Sequence, residues 1–193
     1  VNPVNDAPTI NLPMLFEFDE DDSLFSDFSG YLSDIEDDSL SLTVSGNVNI
    51  TVDITDFDVT FGAPDNWSGT EMLWFTVNDN QNREIGSDSV DVNVLPVNDA
   101  PIVAVYPDTS IMEDDTLTVM FSATDVDGDS LSFGVAGPVD NPDITVSNFG
   151  SGFHAYASPN WHGDAEIRIN VWDGALADTS YFILTIVPVN DTP

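Results

Sequence analysis

A tetrapeptide that recurs at a nearly constant interval constrains this chain more than any other feature. Pro-Val-Asn-Asp occupies residues 3–6, 96–99 and 188–191, so its copies begin 93 and 92 residues apart. Repetition at a fixed period indicates a structural unit that has been duplicated. The sequence therefore predicts two domains of similar structure, module 1 (residues 1–97) and module 2 (residues 98–193), each long enough to bury its own core.

Further segments keep nearly the same offset. Glu20-Asp21-Asp22-Ser23-Leu24 corresponds to Glu113-Asp114-Asp115-Thr116-Leu117, and Asn66-Trp67-Ser68-Gly69 corresponds to Asn160-Trp161-His162-Gly163. Between them, short runs of β-branched and aromatic residues alternate with Gly, Pro, Asn and Asp, and no amphipathic helical stretch of useful length is found. This pattern is typical of an all-β protein.

Alternating apolar residues predict the inward faces of several strands. The matched positions are Leu40, Leu42, Val44, Leu73, Phe75 and Val77 in module 1, and Leu131, Phe133, Val135, Ile167, Ile169 and Val171 in module 2. Residues 90–94 and 182–186 predict a closing strand that leads into each following linker. About seven strands per module fit an immunoglobulin-like β-sandwich, whose ends lie at opposite poles, so that tandem copies are expected to form a rod. The chain has no cysteine, which excludes disulfides and thiolate metal sites.

The charge balance excludes several classes of partner. The chain has 35 Asp and Glu residues against two Lys and Arg, and its formal net charge is -33. No basic surface is available for nucleic acid, and an anionic membrane is disfavoured for the same reason. Hydrophobic residues make up 41% of the chain, enough for a core, but no run of 18 apolar residues suggests membrane insertion. Two explanations of the charge stay open: a solvated acidic surface, or carboxylates that bind hard cations.

Acidic residues recur at places that a sandwich would bring to one pole. Asp125-Val126-Asp127-Gly128-Asp129 and its counterpart Asp34-Ile35-Glu36-Asp37-Asp38 lie between predicted strands. Asp173 and Asp79 each end a predicted strand, and an Asn-Asp pair enters each module. Calcium prefers six to eight oxygen ligands in a flexible arrangement, which such residues can provide. An EF-hand is excluded, because Gly128 is the fourth residue of the loop and Ala136 stands where its closing Glu belongs.

These motifs resemble the cadherin-like repeats of bacterial surface proteins and, more distantly, animal cadherins. The resemblance covers both modules, and it implies that interdomain calcium is held by a Glu of one module, the Asn-Asp linker and acidic residues of the next module. At the central junction it implies Glu20, Asn98, Asp99, Asp125, Asp127 and Asp173. At a junction with a preceding module it implies Asn5, Asp6, Asp34, Glu36 and Asp79, and the matching positions toward a following module are Glu113, Asn190 and Asp191. The Leu-Asp-Arg-Glu motif of animal cadherins is absent, so the number of ions per junction stays open.

Aromatic residues and histidines suggest few other sites. Trp67 and Trp161 are predicted to close the ends of the cores, whereas Trp74 alternates with inward residues and is expected on the outer face, where it could stack on a sugar. His154 is expected on a strand. His154 and His162 have no spacing typical of a catalytic triad or a zinc site. The sequence therefore predicts a protein that is not an enzyme.

The expected function is structural. The modules are interpreted as calcium-stiffened spacers in a long secreted or surface-anchored bacterial adhesin, whose partners are neighbouring modules of the same chain. The start Val1-Asn2-Pro3 lacks the features of a signal peptide, as expected of a piece of something longer. Two alternatives remain: a module that binds carbohydrate or another cadherin-like chain through Trp74, and a calcium-independent acidic linker of a secreted enzyme.

Overall fold

The structure of this protein is a computed structural model, which describes residues 5–35, 39–81, 85–138 and 141–190. The chain divides into two compact units, Val1–Val97 and Asn98–Pro193, which are here called module 1 and module 2. The described residues form β-strands and one short 3-10 turn, Ser29–Tyr31, and include no α-helix. The predicted all-β fold class is confirmed.

Module 1 contains two main sheets and a short ladder. Its described residues form the strands β1 (Thr9–Ile10), β2 (Leu15–Asp19), β3 (Leu24–Asp27), β4 (Leu32–Ser33), β5 (Ser41–Ser45), β6 (Thr51–Thr55), β7 (Asp58–Gly62), β8 (Gly69–Asn78) and β9 (Ile85–Leu95). One sheet has the order β2-β9-β8-β5 and the other has the order β3-β7-β6, while β1 pairs with β4. The two main sheets enclose one core.

Module 2 repeats this arrangement strand for strand. Its strands are β10 (Ile102–Val103), β11 (Thr109–Met112), β12 (Leu117–Met120), β13 (Ala123–Thr124), β14 (Ser132–Ala136), β15 (Ile144–Asn148), β16 (Gly152–Ala157), β17 (Gly163–Trp172) and β18 (Ala177–Val187). The sheet orders are β11-β18-β17-β14 and β12-β16-β15, and β10 pairs with β13. The duplicated sequence therefore specifies the same topology twice.

In each module the first strand is broken into two pieces that pair differently. β1 and β10 pair antiparallel with β4 and β13, whereas β2 and β11 run parallel to the last strands, β9 and β18. Pro13 and Pro107 lie in the breaks. Proline lacks an N–H and cannot complete a ladder, so the break falls where the chain changes partner.

The predicted inward positions form the two cores. Leu73, Phe75 and Val77 on β8 are completely buried, as are their counterparts Ile167, Ile169 and Val171 on β17, and the closing strands alternate in the same way. Leu42 is buried, while Leu40, Val44, Leu131, Phe133 and Val135 are partly buried and pack against the cores. The alternation read from the sequence is therefore confirmed.

The repeated Asn-Trp-x-Gly segment forms a tight corner that covers one end of each core. Trp67 and Trp161 are partly buried and pack against their cores, as predicted. Asn66 and Asn160 have left-handed backbones, with φ of 55° and 61°. A Cβ on Gly69 would lie 2.9 Å from Cζ2 of Trp67, so glycine lets the chain pass under the ring. The motif is thus explained by packing.

One carboxylate organises a loop of module 1 that module 2 builds differently. The Glu71 carboxylate accepts hydrogen bonds from the backbone N–H groups of Val48, Asn49 and Ile50 at 2.8, 2.8 and 3.2 Å, and from Nδ2 of Asn49 at 2.9 Å. Partial burial by itself raises the pKa of Glu71, but these four hydrogen bonds outweigh it and hold the pKa below its ordinary value of 4.5. The corresponding residue of module 2 is Ala165.

We expect Glu71→Gln to lower the unfolding free energy of module 1 by about 2 kcal/mol, because an amide NH₂ would face an N–H group that now meets an oxygen. Since the folded pKa is lowered, the contribution is present above about pH 4.5 and is lost as the pH falls through the folded value. Calorimetry across this range would measure both effects.

The matched control is Glu17→Gln, because the Glu17 carboxylate is exposed and accepts one hydrogen bond, from Nδ2 of Asn93. This control should change the melting of module 1 little. Equal destabilisation by the two substitutions would contradict the role assigned to the loop contacts of Glu71.

Candidate metal centre

Hydrogen bonds to two acidic side chains hold the linker residues at the start of module 2. Nδ2 of Asn98 donates to Oδ2 of Asp173 at 3.0 Å and to the carbonyl oxygen of Asp99 at 3.1 Å. The backbone N–H of Asp99 donates to Oδ2 of Asp127 at 2.7 Å. The structure therefore brings together four of the residues that the sequence assigned to the central junction.

Asp173 lies immediately after β17, in the turn that joins β17 to β18. Its Oδ1 accepts hydrogen bonds from the backbone N–H groups of Ala175 and Leu176 at 2.6 and 2.7 Å. These two backbone hydrogen bonds, followed by that from the Asn98 side chain, hold the pKa of Asp173 below its ordinary value. The same contacts that lower the pKa favour the ionised form of Asp173, which is the form that binds a cation.

The predicted acidic loop of module 2 is closed by one of its own carboxylates. Oδ1 of Asp125 accepts a hydrogen bond from the backbone N–H of Asp129 at 3.0 Å. Oδ2 of Asp125 is shielded from solvent and has no hydrogen-bond partner among the residues that the structure describes. A buried carboxylate oxygen without a partner is costly, so this atom marks a place where a cation would be stabilised.

Carboxylates in this region are close enough to repel one another. A carboxylate oxygen of Asp99 and one of Asp127 lie within 4.8 Å of each other. At an effective dielectric constant of 20, two unit charges at that distance repel by about 3 kcal/mol, and by less where solvent screens them. A bound divalent cation would replace this repulsion by attraction.

Module 1 repeats the contact between the entering linker and the end of the long strand. Nδ2 of Asn5 donates to Oδ2 of Asp79 at 2.6 Å, and the N–H of Gln81 donates to Oδ1 of Asp79 at 2.7 Å. Asp79 is nearly completely buried, Asp34 is partly buried and Asp6 is exposed. Glu36, the second acidic residue of this loop, lies outside the described residues.

At the other pole of each module a buried glutamate holds the chain as it leaves the last strand. Oε1 of Glu20 accepts a hydrogen bond from the N–H of Val97, and Oε1 of Glu113 accepts one from the N–H of Val189, both at 2.7 Å. The two glutamates are 5% and 6% exposed. Beyond Val189, Asn190 is exposed, and Asp191 lies outside the described residues.

The structure adds roles that the sequence did not reveal. Oδ2 of Asp88 accepts a hydrogen bond from the N–H of Leu12 at 2.8 Å, and Oδ2 of Asp178 accepts one from the N–H of Val103 at 2.9 Å. Oδ1 of Asp108 accepts a hydrogen bond from the N–H of Ile183 at 2.8 Å. These carboxylates fasten the first strand to the last. The repeat does not signal this role, because the 92-residue offset of the last strands matches Asp88 with Ser180.

The remaining predicted positions lie on sheet surfaces. Trp74 is on the outer face of β8 and is 51% exposed, as predicted. His154 lies on β16, as predicted, where its Nδ1 is 3.0 Å from Oγ1 of Thr118. Within the four described ranges, no helix is long and apolar enough to span a membrane.

Comparisons with known proteins agree with the fold. Residues 98–185 match the family model of a bacterial Ig domain. The chain is similar in structure to the EC1-2 segment of human protocadherin-24: one crystal form gives a TM-score of 0.56 at 15% identity, covering 95% of this chain and 100% of that one. A second form gives a TM-score of 0.53 at 15% identity, covering 97% and 100%. The chain thus consists of two tandem modules with an immunoglobulin/cadherin-like β-sandwich fold.

Other structural matches are weaker and cover only part of the matched chains. The endo-fucoidan hydrolase MfFcnA4 from glycoside hydrolase family 107 is matched with a TM-score of 0.40 at 16% identity, over 98% of this chain and 30% of that one. The chain thus spans about a third of the length of the fucoidan hydrolases that it matches. Among curated proteins, no sequence matches significantly.

We expect Glu20→Ala to accelerate hydrogen exchange of the Val97 amide, because this N–H loses the carboxylate that now accepts its hydrogen bond. The Val189 amide, which is held by Glu113 in the same molecule, should keep its protection and provides an internal control. Glu20→Gln retains an oxygen acceptor and should preserve part of the protection. Equal exchange of the Val97 amide in wild type and Glu20→Ala would show that the carboxylate does not hold this group.

Proposed function

We propose that this chain is a pair of calcium-binding spacer modules from an extracellular bacterial surface protein, and that it has no catalytic role. The single observation that carries the calcium assignment is Oδ2 of Asp125, which is shielded from solvent without a hydrogen-bond partner in the described part of the chain. It belongs to a loop whose next acidic residue, Asp127, is already bonded to the entering linker.

The residues present fit calcium in their chemistry. Asn98, Asp99, Asp125, Asp127 and Asp173 supply carboxylate and amide oxygens, and the loops add backbone carbonyls. The resemblance to cadherin-like repeats adds Glu20 from module 1. Calcium takes six to eight oxygens at flexible positions, whereas magnesium requires a tight octahedron and retains its waters. The donor set therefore favours calcium.

The two modules support the same assignment through equivalent contacts. Asn5 binds Asp79 as Asn98 binds Asp173, and Glu113 holds Val189 as Glu20 holds Val97. Asn5, Asp6, Asp34, Glu36 and Asp79 would accordingly serve a junction with a preceding module. Glu113, Asn190 and Asp191 would serve a junction with a following one. The neighbouring modules of the same chain are thus the proposed partners.

Calcium at the central junction would act on a short connection. β9 ends at Leu95 and β10 begins at Ile102, so residues 96–101 join the modules. Without a cation, the carboxylates assigned to this connection would repel one another. With a shared calcium ion they would be held together, and fewer linker conformations would remain. We propose that calcium thereby stiffens a spacer, which suits an extracellular setting where calcium is abundant.

We expect Asp127→Asn to weaken calcium binding roughly tenfold, which corresponds to about 1.4 kcal/mol. The substitution removes one ligand charge, but it keeps an oxygen that can accept the hydrogen bond from Asp99. Titration calorimetry should extend into the millimolar range, because extracellular calcium modules often have Kd values of about 10⁻⁴ to 10⁻³ M. The calcium-dependent rise in the melting temperature of module 2 should move to higher calcium concentration.

The matched control for this variant is Asp164→Asn. Asp164 is exposed near the start of β17, about 30 Å along the strand from Asp173, and its substitution changes the net charge equally. Asp108 is less suitable because it fastens the first strand to the last through the N–H of Ile183, whereas Asp164 accepts a hydrogen bond from the side-chain Oγ1 of Thr185, which Asn can also accept. If Asp127→Asn and Asp164→Asn shift the titration by the same amount, the proposed site is wrong.

A second expected result concerns selectivity and stiffness. Small-angle scattering of the two-module chain should fit a narrower range of maximum dimensions with calcium than without it. Far-ultraviolet dichroism should stay nearly constant, because the cores do not depend on the cation. Magnesium at the same concentration should have a smaller effect. Equal effects of the two ions would indicate general screening of the net charge of -33.

A further inference from the structure

The outer face of the four-stranded sheet of module 2 carries two large exposed aromatic side chains. Trp172 on β17 is 52% exposed and Tyr181 on β18 is 65% exposed. Register places Tyr181 directly opposite Arg168, and Arg168, Asn170 and Trp172 alternate along the same face of β17. Trp and Tyr are enriched at binding interfaces, because their rings combine a large apolar face with a polar group.

The same face contains a depression. Its volume is about 720 Å³, and the residues that line it are Ala136, Gly137, Pro138, Asn141, Glu166, Arg168, Asn170 and Thr179. Gly134 and Ala136 on the edge strand β14 lie opposite Asn170 and Arg168. A Cβ built on Gly134 would meet no atom within 4 Å, so the space above it is open. Small residues on the edge strand thus leave room beside the polar side chains.

The polar groups in this depression are partly oriented already. Oγ1 of Thr179 donates to Oδ1 of Asn170 at 2.7 Å, which leaves the Asn170 amide nitrogen as a donor. Nε of Arg168 donates to Oε1 of Glu166, which orients the guanidinium while its terminal nitrogens remain as further donors. Planar amide, guanidinium and carboxylate groups side by side provide both donors and acceptors for a ligand rich in hydroxyl groups.

Charge decides which class of ligand fits. Arg168 and Glu166 neutralise each other locally, while the chain as a whole has a net charge of -33. A polyanion would be repelled by the molecule and would find one arginine that is already paired. A neutral ligand has no such penalty, and sugar rings combine apolar C–H faces, which pack on aromatic rings, with hydroxyl groups.

We propose that this face of module 2 binds a neutral oligosaccharide, with sugar rings packed on Trp172 and Tyr181 and hydroxyl groups bonded to Arg168, Asn170 and Glu166. Arg168 and Trp172 are four residues apart on one strand, about 13 Å, so the surface accommodates more than one ring. The hydrogen-bonding groups of this face, Arg168, Asn170 and Glu166, are separate from the proposed calcium centre, whose ligand Asp173 follows Trp172 in the chain.

Titration calorimetry of the complete two-module chain with cellohexaose and with xylohexaose tests the proposal. Binding to at least one of these neutral, flat-ringed chains is expected, with equal affinity in calcium and in chelator. Arg168→Gln and Trp172→Ala should each weaken it at least tenfold. Trp74→Ala is the matched control, because Trp74 is 51% exposed on the corresponding sheet face of module 1.

Several outcomes would overturn the proposal. We take a Kd of about 1 mM as the weakest specific affinity. If neither hexasaccharide binds at concentrations up to 10-fold above this value, the proposal is rejected. Binding that is lost in Trp74→Ala but kept in Trp172→Ala would place the sugar on module 1. Preference for an anionic alginate hexasaccharide, or self-association that Trp172→Ala abolishes, would assign the face to a different occupant. Loss of sugar binding on chelation would tie it to calcium and reject an independent site.

Discussion

The register of the long antiparallel hairpin in each module, β8 with β9 and β17 with β18, determines where the important side chains point. In module 2 this register buries Ile167, Ile169 and Val171, and it exposes Arg168, Asn170 and Trp172. It also places Asp173 at the hairpin turn. Because side chains alternate with a period of two, a slip of one residue would exchange the buried and exposed faces. The core and the outer surface therefore depend on the same pairing.

The second constraint is the scarcity of positive charge. With 35 acidic residues and two Lys and Arg, the chain cannot neutralise its carboxylates by salt bridges, and within the described residues the ion pair is that of Arg168 with Glu166. Carboxylates instead accept hydrogen bonds from backbone N–H groups. Glu71 organises a loop in this way, Glu20 and Glu113 hold the ends of the last strands, and Asp173 closes the hairpin turn.

This use of backbone donors separates two kinds of acidic residue. Glu71, which is not among the proposed calcium ligands, accepts three backbone N–H groups and acts on the stability of its loop. The loop that contains Asp125 differs, because one carboxylate oxygen is shielded without a hydrogen bond from the described residues. The proposed calcium centre rests on that difference, while the sheet face with Trp172 rests on exposed aromatic rings and neutral polar groups.

The fold class, the strand faces and the equivalence of positions between the modules can all be predicted from the sequence. The alternation at Leu73, Phe75 and Val77 predicts which side chains are buried, and the repeat shows which residues of the two modules are equivalent. The hydrogen-bond partner of each carboxylate becomes known only from the folded chain. Asp88 with Leu12, Asp178 with Val103 and Glu20 with Val97 are separated by 75 to 77 residues. Such contacts depend on how the folded strands lie against one another, a property that no local pattern encodes.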